Sequence, residues 1–511
     1  MITSPLRAVV LVLLALLTLL APAAPAAAAE GELRWALHVT LAAKWLDPAE
    51  TEAFNTPYMV MFMLHDAVMK PSPTAQSSPS LAESFTASKD FTTFTFNLRK
   101  NAKFHNGEPV TAEDVKFSFE RYKGASAKLL KDKVKEIQTP SATQVRFVLK
   151  EPWPDFLTFY GTTASGAGWI VPKKYVQQVG DDGFKKAPIG AGPYKVVSFR
   201  PGIEIVFEAF DGYWRKPPSV KRLVMRSITD ESTRAAALKA GEVDIAYLLT
   251  GPTAAEIKRT AGFKLVAPLL SGAFWIELPD QRDPKSPWHD KRVRQAANHA
   301  IDRAAINEAE TLGFSRLTGN FVPRIFQYAL PVEPPAFDPG RARKLLAEAG
   351  YPNGFDAGDF NPFPPYFSMG EAIIGQLSAV GIRSKMRTME RAAYFTAWQE
   401  KRLKGMILVI TAPFGNAATR LEPYYTKNGI YAYSSRPEID DLFVRQSKEL
   451  DPKKREELVH GIQKIIRDDA MNIPLYDLAF IWGVGPRVAE AGAGLIPGYA
   501  YSAPAEDLKL K

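Results

Sequence analysis

Six histidines, His38, His65, His105, His289, His299 and His460, are the residues of this 511-residue chain best suited to acid–base or metal chemistry. No two of them lie three to five positions apart and no HExxH occurs, so no helix or turn carries a ready-made metal pair. Cysteine is absent, which removes thiol nucleophiles, thiolate ligands and disulfides together. There is no Gly-x-Ser-x-Gly elbow and no Ser-x-x-Lys of the penicillin-binding type. Gly190-Ala191-Gly192-Pro193-Tyr194 has the glycines of a phosphate cradle, but no Gly-Lys-Ser/Thr follows, and Pro193 removes a backbone donor where such a loop needs one. It reads as a turn into a strand. The chain is therefore not expected to be an enzyme, to bind a metal or to carry a cofactor, and the chemistry left to it is recognition.

The elements that would position such a site begin between Leu81 and Tyr122. Phe94, Phe96 and Leu98 alternate with Thr95, Asn97 and Arg99, the period of a strand with one buried face, and Asn106-Gly107 supplies a tight turn. Thr111 then stands where an N-cap belongs, with Asp114 three residues on in a capping-box position and Val115, Phe117, Phe119 and Tyr122 offering apolar surface. Later helices are marked in the same way. Asp230 caps one that Gly241 stops, Asp338-Pro339 opens one that Gly350 stops, and Asp451-Pro452 opens a third with Leu458, Ile462, Ile465 and Ile466 facing inward.

Length implies two or three domains with substantial cores, and 46% hydrophobic with 23% charged residues is a globular composition. The net charge of +9 is spread among interleaved acids and bases with no dense basic run, so no nucleic-acid partner is expected. One arginine, the apolar run Val9 to Leu20, and small residues ending Ala27-Ala28-Ala29 read as a secretory signal peptide over 1–29 with cleavage near Ala29. A lipoprotein is excluded because lipid attachment requires a cysteine.

LAESF, then TFTFNLRKNAKFHNGEPVTAEDVKFSFER, resembles the signature segment of the family 5 extracellular solute-binding proteins, which include the periplasmic peptide, nickel and opine receptors of ABC importers. The GxGPY turn followed by Tyr213-Trp214, GEVDIA at 241–246, VRQAANHAIDRAAI at 293–306 and YPNGF at 351–355 extend the likeness over almost the whole chain after the leader. The resemblance implies an α/β, two-lobed periplasmic-binding-protein fold of type II-like form. Lobe I would comprise 30–275 plus 478–511, with 71–186 as an inserted subdomain, and lobe II 276–477; Phe274-Trp275-Ile276 would be the crossing and Ile473 to Phe480 the return. It implies a monomer that captures a small molecule or short peptide between its lobes and delivers it to an ABC permease. A ligand-binding partner of a periplasmic sensor and a periplasmic hydrolase stand as alternatives.

Ligands bind outside the carboxyl ends of strands in open α/β sheets, which brings His38 and Trp45, after the opening strand, into the candidate site. Peptide-binding members hold the peptide amine with an acidic residue in a loop after a second-lobe strand. Here that strand corresponds to Met406–Ile410, and the following loop, Thr411 to Arg420, contains no Asp or Glu. Arg420 offers the opposite charge, a planar fork suited to carboxylate or phosphate, and Asn416 a neutral donor and acceptor. Trp45, Trp169, Trp275 and Phe414 would supply apolar walls, with Arg391 and Tyr424 as further candidates. The solute is expected to be anionic, aromatic or sugar-like. The competing reading of Arg420 is an ion pair with Glu422 or Glu390.

Overall fold

The computed structural model describes residues 30–51, 55–411 and 415–511, so the expected signal peptide and Phe414 lie outside the described residues. Two sheets organise the chain. The first has seven strands in the order Lys264–Val266, Ile481–Val484, Ile245–Leu249, Glu30–Leu37, Val220–Ser227, Glu204–Ala209 and Tyr194–Arg200. Its centre is parallel: Glu30–Leu37 pairs in parallel with both Val220–Ser227 and Ile245–Leu249. The central strand is apolar on both faces, with Leu33, Trp35, Ala36 and Leu37 all buried, as a strand covered on two sides requires.

The second sheet has six strands, ordered Arg316–Leu317, Asn472–Ala479, Leu269–Glu277, Met406–Ile410, Phe355–Asn361 and Ile382–Met386. The chain changes sheet between Val266 and Leu269 and returns between Ala479 and Ile481. Trp275 thus sits inside a central strand of the second sheet, beyond the crossing that the sequence suggested there. Ile473 lies in that sheet too, and the return falls at Phe480, whose N–H donates to the Pro268 carbonyl of the outgoing crossing at 3.0 Å. Two short, mutually bonded crossings leave the sheets free to hinge.

A four-stranded antiparallel sheet, Ala82–Ala87, Thr93–Leu98, Gln144–Leu149 and Val134–Ser141, is set into the first lobe with its own core of Phe94, Phe96, Phe119, Phe147, Phe156 and Tyr160. The expected capping box is present: Thr111 accepts from Asp114 N–H while the Asp114 carboxylate accepts from Thr111 N–H at 2.9 Å. The family's turn motifs have packing explanations. A Cβ at Gly190 would come within 1.9 Å of the Leu64 carbonyl oxygen, and His105 bridges the turn, accepting from Gly190 N–H at 3.2 Å through Nδ1 and donating from Nε2 to the Gly192 carbonyl at 3.0 Å. Tyr213 and Trp214 both donate to the buried Asp66 carboxylate, at 3.0 and 2.7 Å.

Candidate functional site

Space between the lobes is bounded on one side by the carboxyl ends of the parallel strands. His38 follows the opening strand directly, and its ring lies on Tyr247, in the neighbouring strand, with centroids 5.0 Å apart. Tyr247 in turn stacks on Tyr501 at 5.0 Å and meets Trp482 edge-on at 5.0 Å, a buried aromatic cluster beneath His38. The backbone beneath is fixed by Arg234. This buried side chain donates to the carbonyls of Tyr247 (3.0 Å), Leu248 (2.8 Å), Ile228 (2.8 Å) and Thr229 (2.9 Å) and so holds the strand end where Leu248 takes a positive φ of 55°.

Across from it, the second lobe contributes Tyr366, Arg391 and Arg420. Arg391 begins the helix Arg391–Gln399, donates to the Pro364 carbonyl at 2.9 Å, and spreads over the rings of Phe363 and Phe395 at 5.1 and 5.2 Å. Its positive charge reaches both His38 and Tyr501 of the first lobe. Arg420 lies one turn into the helix Ala417–Tyr425, four residues after the N-cap Asn416 and so on the same face. Gly415, at φ 116°, is forced by close approach: a Cβ there would lie 2.2 Å from Thr419 Oγ1 and 3.5 Å from Arg420 Nε.

The electrostatics define the space more sharply than shape does. Burial pushes the His38 imidazole down to about 3, with the charges of Arg234 and Arg391 adding to the effect, so it is neutral near pH 7. Burial also lowers both Arg391 and Arg420, and raises Tyr366 to about 12. Yet Arg391 is exposed, and His38, Tyr366 and Arg420 are half-buried. Among the described residues neither Arg391 nor Arg420 forms an ion pair, and the Arg420 Nε has no hydrogen-bond partner. The Glu422 charge acts on Arg420 only at a distance. His38 Nδ1 is likewise without a partner among the described residues.

The remaining expected residues are placed differently. Trp45 is 8% exposed and packed in the first lobe's core. Trp169, bridged to Ala67, packs against Tyr58 and Phe62 at 5.9 and 5.0 Å. Trp275 is fully buried between Phe321 and Tyr424, with its indole N–H 3.3 Å from Glu277. These three indoles are core, because each neighbours a strand or helix whose both sides are covered. Asn416 is 2% exposed and committed to other partners: Oδ1 accepts from Thr419 N–H at 2.9 Å, and Nδ2 donates across the lobes to Asp155 at 2.8 Å. Tyr247, Tyr366 and Tyr501 were not singled out from the sequence. Tyr247 lies inside the strand Ile245–Leu249, where the strand-end rule does not reach, and Tyr501 comes from a C-terminal segment with no local signal.

A pocket of about 220 Å³ on the second lobe, lined by Gln295, His299, Glu333 and Arg467 among others, lies away from these groups. Its polar groups have protein partners: His299 bonds the Ala336 carbonyl at 2.8 Å, Glu333 pairs with Arg324 and Arg467 with Asp468. It lacks the unpaired cations that mark the interlobe space.

Two α/β lobes joined by paired crossings, enclosing polar groups without protein partners, define the binding-protein class. The model of the bacterial extracellular solute-binding proteins, family 5 Middle, matches residues 76–432, and the chain belongs to that family. It is 28% identical over 419 residues, covering 77% of this chain and 79% of the relative, to the glutathione-binding protein GsiB of Escherichia coli (strain K12). Among solved structures it is similar to MoaA from A. tumefacien R10 in complex with mannopinic acid, with a TM-score of 0.75, 25% identity and coverage of 94% of this chain and 100% of that one. It shares the fold of NikA from Brucella suis in complex with Fe(III)-EDTA, with a TM-score of 0.80, 22% identity and the same coverage.

Proposed function

We propose that this protein is the periplasmic solute-binding component of an ABC importer and that its solute is a small organic acid, peptide-like or sugar-derived, held between the lobes and handed to the permease. The reading is supported by Arg391 and Arg420, two second-lobe guanidiniums that form no ion pair among the described residues, the Arg420 Nε having no hydrogen-bond partner. A guanidinium drawn away from water without a counter-charge is unfavourable, so a ligand that brings an anion to Arg420 would stabilise the arrangement. Arg391 and Arg420 would take acidic groups, and the neutral His38 would accept from a hydroxyl or N–H. Glutathione and mannopinic acid, the compounds for which two relatives are named, both carry carboxylates.

In this reading lobe I comprises 30–268 and 480–511, with 71–186 inserted, and lobe II comprises 269–479. The mature chain is a soluble monomer released after Ala29, without a lipid anchor, and it performs no covalent step. The test is a thermal-shift screen of ligand-stripped protein against dipeptides, acidic peptides, opines, sugar acids and neutral sugars. A compound bound only to the native state raises the melting temperature by mass action. Stabilisation confined to acid-bearing compounds supports the reading; stabilisation by neutral sugars or by amides alone refutes the anionic solute.

A further inference from the structure

Asp155 stands at the N-cap position of the short helix Phe156–Tyr160, where aspartate ordinarily bonds its own helix's free N–H groups, yet it makes no such cap. Its carboxylate is directed to the other lobe instead. Oδ1 accepts from Asn416 Nδ2 at 2.8 Å, and Oδ2 pairs with the Arg455 guanidinium. Both partners are prepared in advance. Asn416 is held as the N-cap of Ala417–Tyr425, the helix that carries Arg420. Arg455, 3% exposed, is steadied by Gln446 Oε1 at 3.0 Å and lies over the Tyr328 ring at 5.5 Å. The Asp155 side chain is 14% exposed and that of Arg455 4%.

We infer that Asp155 is an interlobe positioning residue: one carboxylate joins the inserted subdomain to Asn416 and Arg455, stabilising the closed arrangement of the lobes and, through the cap, the seat of Arg420. This rests on the proposed closure of the lobes around a solute, but it can be measured without one. Opening would separate Asp155 from both donors and let water reach all three, so the contact acts on the open–closed ratio rather than on the folding of either lobe.

The absence of cysteine makes the experiment clean. Spin labels on cysteines introduced at Lys128, on the inserted subdomain, and Arg445, on lobe II, both highly exposed, report the interlobe distance in ligand-free protein. Asp155→Asn and, separately, Arg455→Gln should each shift the distribution toward larger separation, lowering the closed-to-open ratio by about five- to a hundredfold. The exchange of the two, Asp155→Arg with Arg455→Asp, should restore part of the closed population. A role confined to folding would lower the melting temperature and leave the distances of the folded fraction unchanged, and that result overturns the inference. Unchanged distances with solute binding intact would refute the latch alone; shifted distances in a protein that binds no acid would refute the proposed solute alone.

Discussion

Asp66 and Lys70 form an ion pair of 2.7 Å beneath the first lobe, and the same fully buried carboxylate accepts from Ser80, Tyr213 and Trp214. Through one side chain the helix end, the strand after it and the Tyr213-Trp214 pair are tied together, which accounts for that pair by packing. Asp66→Asn removes the charge that Lys70 answers and makes an NH2 group face donors. A loss of about 3–5 kcal/mol of unfolding free energy is expected, measured by urea unfolding. The variant should keep whatever solute affinity its folded fraction has, because none of these groups faces the interlobe space.

Arg391→Gln and Arg420→Met should separate binding from stability. Arg420→Met removes a cation whose Nε has no partner, so its ligand-free melting temperature should hold or rise, whereas Arg391→Gln also gives up the Pro364 hydrogen bond and two ring contacts; affinity for an acidic solute should fall at least tenfold in each. Calorimetric titration alongside thermal unfolding checks both halves. A fall in the ligand-free stability of Arg420→Met would mean that its guanidinium serves the scaffold.

Acid should destabilise the protein through its histidines. Burial holds His38 and His105 down at about 3 and His65 at about 4, against 6.5 in an unfolded chain. The unfolded state therefore binds more protons between those limits, and the stability these sites support is complete above about pH 6.5 and lost as pH falls toward 4. For the fully buried His65 the effect is on the order of 3 kcal/mol. His65→Gln should flatten the acid limb of a plot of melting temperature against pH.

Glu277 acts in the opposite sense. Fully buried beside Trp275 and Tyr425, it is raised to about 7 from 4.5, chiefly by burial. Its folded form binds a proton more tightly than the unfolded chain does, so the stability it contributes is present below about pH 4.5 and lost as pH rises through 7. Glu277→Gln should raise stability above pH 7 by about 3 kcal/mol and leave it unchanged at pH 4.

Most of the fold was legible because its signals are local. The capping box at Thr111, the helix at Asp338-Pro339 and the Asn106-Gly107 turn each depend on side chains within a few residues, and all three are found. The lobe crossings were displaced because Trp275 and Ile473 have the apolar character of any central strand, and only pairing with distant strands reveals to which sheet they belong. The site was legible in part. His38 and Arg420, chosen from a strand end and a loop charge, keep accessible surface and stay in the proposed site, whereas the three tryptophans read as walls only because sequence gives their size without saying which side of the chain is covered. Asp155 carries no local signal of its role, because its partners lie 261 and 300 positions away.

The central claim is tested most directly by stripping and identifying what the secreted protein carries. Native mass spectrometry of the mature protein, followed by titration of the released compound into native, Arg391→Gln and Arg420→Met forms, gives both identity and site. The expected compound carries at least one acidic group, and its affinity falls at least tenfold in each variant. A bound compound without an acidic group, or undiminished affinity in both variants, would contradict the claim.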